Sequence, residues 1–221
     1  MTDKTGRSDS PQSASPYAGR WVALLRGKVI AQGNTPEEAR RAAQTHRHKE
    51  SPEIVFMPTY SFSPLLASVQ DALPPNQEIY LVGGAVRDVL LGRSSHDLDF
   101  AVPGDGIKLA RRVANKMKGA FYPLDHERDT GRVVLIHADE TRTVMDFATF
   151  RGENIEADLR DRDFTLNAIA YNLQTASVFD PLNGASDLLA KHIRACTAES
   201  LTNDPVRVLR AVRLAAGLGL G

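Results

Sequence analysis

The sequence predicts an α/β fold in two parts: a small ββαβ module, then a larger domain of alternating strands and helices. Three observations predict it. An apolar strand pattern, Ile79–Val82, passes through Gly83-Gly84 into the helical periodicity of Ala85–Leu91. A second apolar strand pattern, Leu98–Val102, is entered through His96-Asp97-Leu98-Asp99. Upstream, residues 17–58 hold two short strand patterns, a capped helix pattern and a third strand pattern.

In the first part, Trp21–Arg26 and Lys28–Gln32 read as strands joined at Gly27, and Gly33-Asn34 turns the chain. Thr35 is the expected N-cap, with Pro36 at the first helical position and Glu38 three residues after the cap. A helix is therefore expected from about Pro36 to Arg47. Glu53–Met57 reads as the third strand, ended by Pro58. The module, with its Gly19-Arg20-Trp21-Val22-Ala23 start, resembles a small family of uncharacterised domains. From Arg20 to Lys49 it holds seven Lys/Arg against two Glu. That excess reads either as an RNA-contacting face or as a solvated helix surface, and the solvated surface is the default for a charge run. His46 and His48, two apart, would point to different faces of a helix, which argues against a metal site there.

Residues 1–16 are polar and rich in Ser and Pro, without the apolar stretch of a signal peptide. They read as a disordered tail on a cytoplasmic protein. Residues 59–77 contain Pro64, Pro74 and Pro75 and read as a linker with a short helix at Leu65–Ala72. The main domain is expected over 78–200.

Composition excludes several classes. Apolar residues make up 42% of the 221-residue chain, enough for a sizeable core. Lys+Arg and Asp+Glu number 27 each, so nothing global argues for nucleic acid, and any grip on RNA must be local. A single cysteine, Cys196, rules out an internal disulfide framework and fits a reducing compartment. No apolar run approaches the roughly 18 residues a membrane span needs.

The candidate chemistry centres on carboxylates. Asp97 and Asp99 are two apart on a strand, so both project from one face. Two such acids repel unless something positive lies between them, and hard oxygen ligands suit Mg²⁺. Two solvated Asp at a polar strand end is the rival reading, weakened by apolar Phe100, Ala101 and Val102. Val133–His137 and Thr143–Phe150 read as adjacent strands, and Asp146 lies mid-strand between Met145 and Phe147. A carboxylate there is costly unless paired or metal-bound, so Asp146 is either a third catalytic acid or half of a buried salt bridge. The Gly83-Gly84 pair lets backbone approach a phosphate without interference from Cβ.

The stretch from Leu81 to Gly92, followed by Asp97-Leu98-Asp99-Phe100, resembles the first motif of the class II CCA-adding enzyme and bacterial poly(A) polymerase family. Two further blocks match in order. Asp158-Leu159-Arg160-Asp161-Arg162-Asp163-Phe164-Thr165-Leu166-Asn167-Ala168-Ile169-Ala170 resembles the second block, with Asp161 where Arg is usual. Asp204-Pro205-Val206-Arg207-Val208-Leu209-Arg210-Ala211-Val212-Arg213 resembles the block that selects the incoming base, with Asn203 where Glu is usual. The likeness spans Glu78–Ala216. It implies a nucleotidyltransferase head, a mixed sheet with flanking helices, followed by a helical neck beginning near residue 201.

It further implies attack of an RNA 3′-hydroxyl, most simply that of tRNA, on the α-phosphate of ATP or CTP. Asp97 and Asp99 would hold Mg²⁺, with Asp146 the candidate third acid. Gly84 and Arg87 would contact triphosphate or sugar, and Arg162, Asp204, Arg207, Arg210 and Arg213 would bind and select the nucleotide. The chemistry is coherent. Cytosine and adenine both present an amino donor beside a ring-nitrogen acceptor, which suits an Asp–Arg pair, and uracil and guanine reverse both polarities. The plain alternative for the three arginines is a solvated amphipathic face, and for Arg162 a partner for neighbouring acids. Besides these two substitutions, one departure from the family is clear: only residues 152–157 separate Arg151 from the second block, where relatives carry a long basic loop implicated in the switch between C and A addition. Poly(A) or A-only addition, and a non-catalytic nucleotide- or RNA-binding module, stand as alternatives. No membrane partner is expected.

Overall fold

The structure, a computed structural model, describes residues 20–25, 28–45, 51–57 and 64–220. These fall in two compact units, one within 1–61 and one within 62–221. The tail expected over 1–16, the Gly27 turn, His46, His48 and Pro58 lie outside the described residues.

The first unit comprises β1 (Arg20–Leu25), β2 (Lys28–Gly33), α1 (Pro36–Gln44) and β3 (Glu53–Met57). Its sheet runs β2-β1-β3, antiparallel throughout. Thr35 Oγ1 accepts from Glu38 N at 3.1 Å, and Glu38 Oε2 accepts from Asn34 N at 2.8 Å, which fixes the start of α1. The helix is shorter than expected, ending at Gln44 with Thr45 as its cap. Ala39 and Ala43 are buried along one side of α1, and Trp21 packs on Phe56 with ring centroids 5.3 Å apart.

The second unit begins with α2 (Pro64–Ala72), β4 (Tyr80–Val82), α3 (Gly84–Leu90), β5 (Asp97–Val102) and α4 (Gly106–Met117). It continues with β6 (Ala120–Asp125), β7 (Thr130–Ile136), β8 (Arg142–Thr149), α5 (Ile155–Arg160), β9 (Ala170–Asn172) and β10 (Ser177–Phe179). It closes with α6 (Gly184–Leu189), α7 (Ser200–Asn203) and α8 (Val206–Leu218). The seven-stranded sheet has the order β10-β9-β4-β5-β8-β7-β6. It is mixed: β5 and β8 are parallel and the other neighbours antiparallel.

The two faces of this sheet differ. Leu81, Leu98, Phe100, Val102, Val133, Leu135, Met145 and Phe147 project into one core with α2 and α4. On the other face Val82, Ala101 and Ala170 pack with Ile155 and Leu159 of α5. That cover reaches only the β9-β4-β5 side. Over β8, β7 and β6 the alternate positions of this face, from Val144 to Tyr122, are partly or fully exposed.

One expectation needs correcting. The helix of the 59–77 segment is not a linker element. Leu66, Val69, Ala72 and Leu73 form an apolar stripe buried in the main core, and Arg112 Nε donates to Ala72 O at 3.0 Å. Its spacing is that of a core-facing helix, and the flanking prolines only bound it.

Candidate functional site

The strand–turn–helix from β4 to α3 sets the site. Gly83 takes φ +71° and ψ −139°, a backbone that L side chains rarely adopt, and caps α3 without a side chain. A Cβ on Gly83 would lie 3.3 Å from Arg162 Nη1 and 3.4 Å from Asp99 Oδ2. The turn, the arginine of the second block and the acidic strand therefore converge. At the far end of α3, Gly92 at φ +70° ends the helix, with Arg93 N donating to Asp88 O at 2.8 Å.

Asp97 and Asp99 share one face of β5, as the spacing required. Among the described residues neither carboxylate has a hydrogen-bond or ion-pair partner. Burial pushes the Asp99 carboxyl above the ordinary carboxylate range; Arg162 opposes this, and the negative charges of Asp146 and Asp97 add to it. Excess negative charge gathered on one strand face, with both acids still accessible, is the setting a bound cation would relieve. No group of three or more His, Cys, Asp or Glu among the described residues is arranged to hold a metal. Two carboxylates with water and substrate phosphates is nonetheless an ordinary Mg²⁺ donor set, so the residues fit that ion.

Asp146 lies directly opposite Asp99 on the parallel neighbour strand. Arg132 grips it bidentately, Nε to Oδ1 and Nη2 to Oδ2, both at 2.8 Å. The salt bridge of the rival reading is thus present, though partly exposed rather than buried, and it sits in the same row as Asp99. Arg132 was missed in the sequence. The signal was a basic residue opening an apolar strand pattern, with a lone acid in the next one.

Arg87 turns inward, with a side chain only 12% exposed. Its Nε and Nη2 donate to Asp88 Oδ1 at 2.9 and 2.8 Å, and its Nη1 donates to Asn167 Oδ1 at 2.6 Å. Gly84 lies beneath this guanidinium: a Cβ there would be 3.3 Å from Nη2. Asn167 Nδ2 donates to buried Asp163 Oδ1 at 3.1 Å. Asp163 Oδ2 has no hydrogen bond among the described residues, but lies 3.1 Å from Arg210 Nη2. One polar chain thus joins the first motif, the second block and α8.

Arg162 is held by Asp158 Oδ2, from Nε at 3.0 Å and Nη2 at 2.8 Å, which leaves Nη1 toward the Gly83 turn. The sequence offered partnering and nucleotide contact as alternatives, but one guanidinium has edges enough for both. Pro205 holds the cap position of α8, and Asp204 Oδ1, one residue before it, accepts from Val206 N at 3.0 Å and so helps hold the start of the helix. Arg207 donates from Nη2 to Asp161 O at 3.1 Å and from Nη1 to Arg162 O at 3.3 Å, tying α8 to the second block.

The three arginines of α8 do not form one stripe. Arg207 is tucked against the head, Arg210 reaches Asp163, and Arg213 is exposed with no ion pair among the described residues. Each three-residue step falls about 60° short of a full turn, so six residues carry the side chain well round the helix.

Behind the site, Thr165 Oγ1 donates to Asp187 Oδ2 at 2.5 Å, and Arg194 donates to Asp187 Oδ2 and to Leu182 O, at 3.0 and 2.6 Å. These bonds bind α6 to the second block and were not read from the sequence. No helix among the described residues is long and apolar enough to cross a membrane.

Comparison with known proteins agrees with this geometry. Residues 79–194 match the Poly A polymerase head domain. Residues 12–59 match a family of unknown function (DUF5678). The chain is 47% identical over 139 residues to the CC-adding tRNA nucleotidyltransferase of Geobacter sulfurreducens, covering 63% of this chain and 32% of that protein. It is 45% identical over 148 residues to the enzyme of the same name from Synechocystis sp., covering 66% and 34%. A structure described as a tRNA-processing enzyme with CTP superposes with TM-score 0.61 at 36% identity, covering 69% of this chain and 42% of that one. The chain thus spans about a third of the length of the relatives it matches. On the match over 79–194, and on the motifs that the fold gathers round Asp97 and Asp99, the chain belongs to the poly(A) polymerase head domain family.

Proposed function

We propose that this chain carries the catalytic centre of a template-independent RNA nucleotidyltransferase, adding C or A nucleotides from CTP or ATP to the 3′ end of a tRNA. The observation that carries this reading is the pair Asp97 and Asp99, unpartnered on one face of β5 beside the Gly83 turn and the free edge of Arg162. The acceptor 3′-oxygen attacks the α-phosphorus, the bond to the β-phosphate breaks, and pyrophosphate leaves. Asp97 and Asp99 would hold Mg²⁺, which when bound lowers the pKa of the attacking hydroxyl and offsets charge on the leaving phosphates.

The chain's own groups orient the nucleotide. Backbone at Gly83-Gly84 approaches the phosphates without obstruction, and Arg162 Nη1 supplies a positive edge beside Asp99. Arg87 shapes the turn from behind. Asp204 and Arg207 read the base edge, Asp accepting and Arg donating, while Arg210 anchors α8 through Asp163. Arg213 faces outward, and its contact is with the RNA or with triphosphate reached from outside. Asp146 stands beside Asp99 as the third acid, with Arg132 setting its orientation. A cytoplasmic setting fits the single free thiol, Cys196.

A narrower reading, addition of C alone, has its own support. α5 starts at Ile155, capped by Asn154 Oδ1 accepting from Ala157 N at 2.9 Å, almost at once after β8. No room is left there for the long basic loop of relatives, and both relatives named above are called CC-adding. The test is incubation with labelled CTP or ATP, Mg²⁺ and tRNAs ending before the first C, after one C and after two. Product length separates C addition, A addition and poly(A) tailing. Nucleotide binding without any product would favour a non-catalytic module.

A further inference from the structure

We propose that the open face of β7 and β6 carries the single-stranded 3′ end of the RNA acceptor, with Tyr122 as a stacking platform for a base short of the reacting end. This rests on the reading of Asp97 and Asp99 given above. The register places the platform. Asp99 pairs with Asp146, Asp146 with Arg132, and Arg132 with Tyr122, one residue on each of β5, β8, β7 and β6. Directly paired positions project to the same face, so these four side chains form one row. Three strand spacings put Tyr122 about 14 Å from the acidic pair.

The fold does not require this face to be open or its residues to be these. The opposite face of the same strands is packed with Val133, Leu135, Met145 and Phe147. On the open face Tyr122 is 55% exposed and Ile136 69% exposed. Arg132 keeps Nη1 outside its pair with Asp146, and Arg142 is exposed on β8, paired with Ile136. None of Ala120, Tyr122, Thr130, Arg132, Val134 and Ile136 is acidic. An exposed aromatic ring beside Arg132, with Arg142 on the same face, suits unpaired bases and their phosphates; a duplex, with its base faces hidden, could use only the charges.

The other approach to Asp99 is taken. On the β9-β4 side the same sheet face is closed by α5, and Arg162 and Arg207, the nucleotide's proposed partners, gather there with Arg210 anchoring α8. An acceptor strand that meets the nucleotide at Asp97 and Asp99 therefore arrives over β8, β7 and β6.

The test uses the purified chain and a short oligoribonucleotide with 2-aminopurine two residues from its 3′ end, whose fluorescence falls on stacking. The parent should quench the probe. Tyr122→Ala should weaken binding about ten- to a hundredfold, and Tyr122→Phe should preserve it. The affinity for a fluorescent ATP analogue should be unchanged in both, and the melts should match the parent because Tyr122 lies exposed on an edge strand. Equal binding of the probe by Tyr122→Ala overturns the proposal, as does a parent that binds the analogue but not the probe. A concentration-dependent dimer dissolved by Tyr122→Ala, without RNA binding, would give the face to a second copy and also overturn it. A parent that quenches the probe but binds no nucleotide leaves the platform standing and sinks the nucleotidyltransferase reading.

Discussion

Asp99 and Asp146 lie side by side on adjacent parallel strands, yet only Asp146 is ion-paired: Arg132 holds it through two 2.8 Å bonds, while Arg162 acts on Asp99 without direct contact. Two acids in one row are thus given different tasks by a single arginine.

That asymmetry predicts opposite stability effects. Burial raises the Asp99 carboxyl, so the folded state holds its proton to higher pH than the unfolded chain does. Stability attributable to Asp99 is therefore greatest below the ordinary carboxylate range and is lost as pH rises through the raised pKa. At neutral pH, Asp99→Asn removes a charge that Asp97 and Asp146 repel and should raise Tm. Arg132→Ala should lower stability by about 1 kcal/mol, a modest figure because its side chain is 38% exposed. Thermal melts at pH 7 without divalent ions decide both. A destabilised Asp99→Asn would show that the carboxylate is satisfied in a way the geometry does not reveal.

Gly83→Ala should be costly twice over. The φ of +71° strains any L residue by about 1–3 kcal/mol. The new methyl would also press on Arg162 Nη1 and Asp99 Oδ2. Stability and ATP affinity should fall together, read by melts and by titration with a fluorescent analogue. Unchanged affinity in a folded variant would remove the turn from the nucleotide site.

Asp204→Asn separates base reading from helix capping, because Asn caps nearly as well as Asp. The helix should survive, while preference for CTP and ATP over UTP and GTP should shrink about ten- to a hundredfold, the worth of one hydrogen bond to a charged group. Incorporation of all four nucleotides under identical conditions measures it. A variant that excludes UTP and GTP as well as the parent places base reading elsewhere.

Cys196 should be nearly inert in the folded protein. Burial, with the negative charge of Asp163, pushes its thiol up to about 12. At pH 8 the thiolate fraction falls about a thousandfold below that of an ordinary cysteine, partly offset by greater nucleophilicity, so alkylation should slow roughly thirty- to sixtyfold. Iodoacetamide labelling followed by mass spectrometry checks this. The rate should recover in denaturant, and rapid labelling of the folded chain would contradict the raised thiol.

Much of the frame was legible because its signals are local. The Gly83-Gly84 turn, the two-residue spacing of Asp97 and Asp99, and the Thr35 cap each follow from backbone or pleat geometry over a few residues. What escaped the sequence depended on pairing between distant segments. Arg132 meets Asp146 only once β7 and β8 are in register, and Asn167 meets Arg87 across 80 residues of chain. The different surroundings of Arg207, Arg210 and Arg213 escaped for another reason: helical drift separates them, and what each touches depends on where the head lies. The helix at Pro64–Ala72 was assigned to a linker because its prolines outweighed its apolar spacing.

The central claim is that Asp97 and Asp99 perform nucleotidyl transfer, and incorporation of labelled CMP or AMP into tRNA lacking its 3′ end tests it most directly. Parent, Asp97→Asn and Asp99→Asn are compared at saturating Mg²⁺, each beside a melt. The account predicts addition by the parent and a loss of at least about a hundredfold in either variant with the fold intact, as expected when groups stabilising the transition state are removed. Incorporation at the parent's rate by a folded Asp99→Asn protein would contradict it.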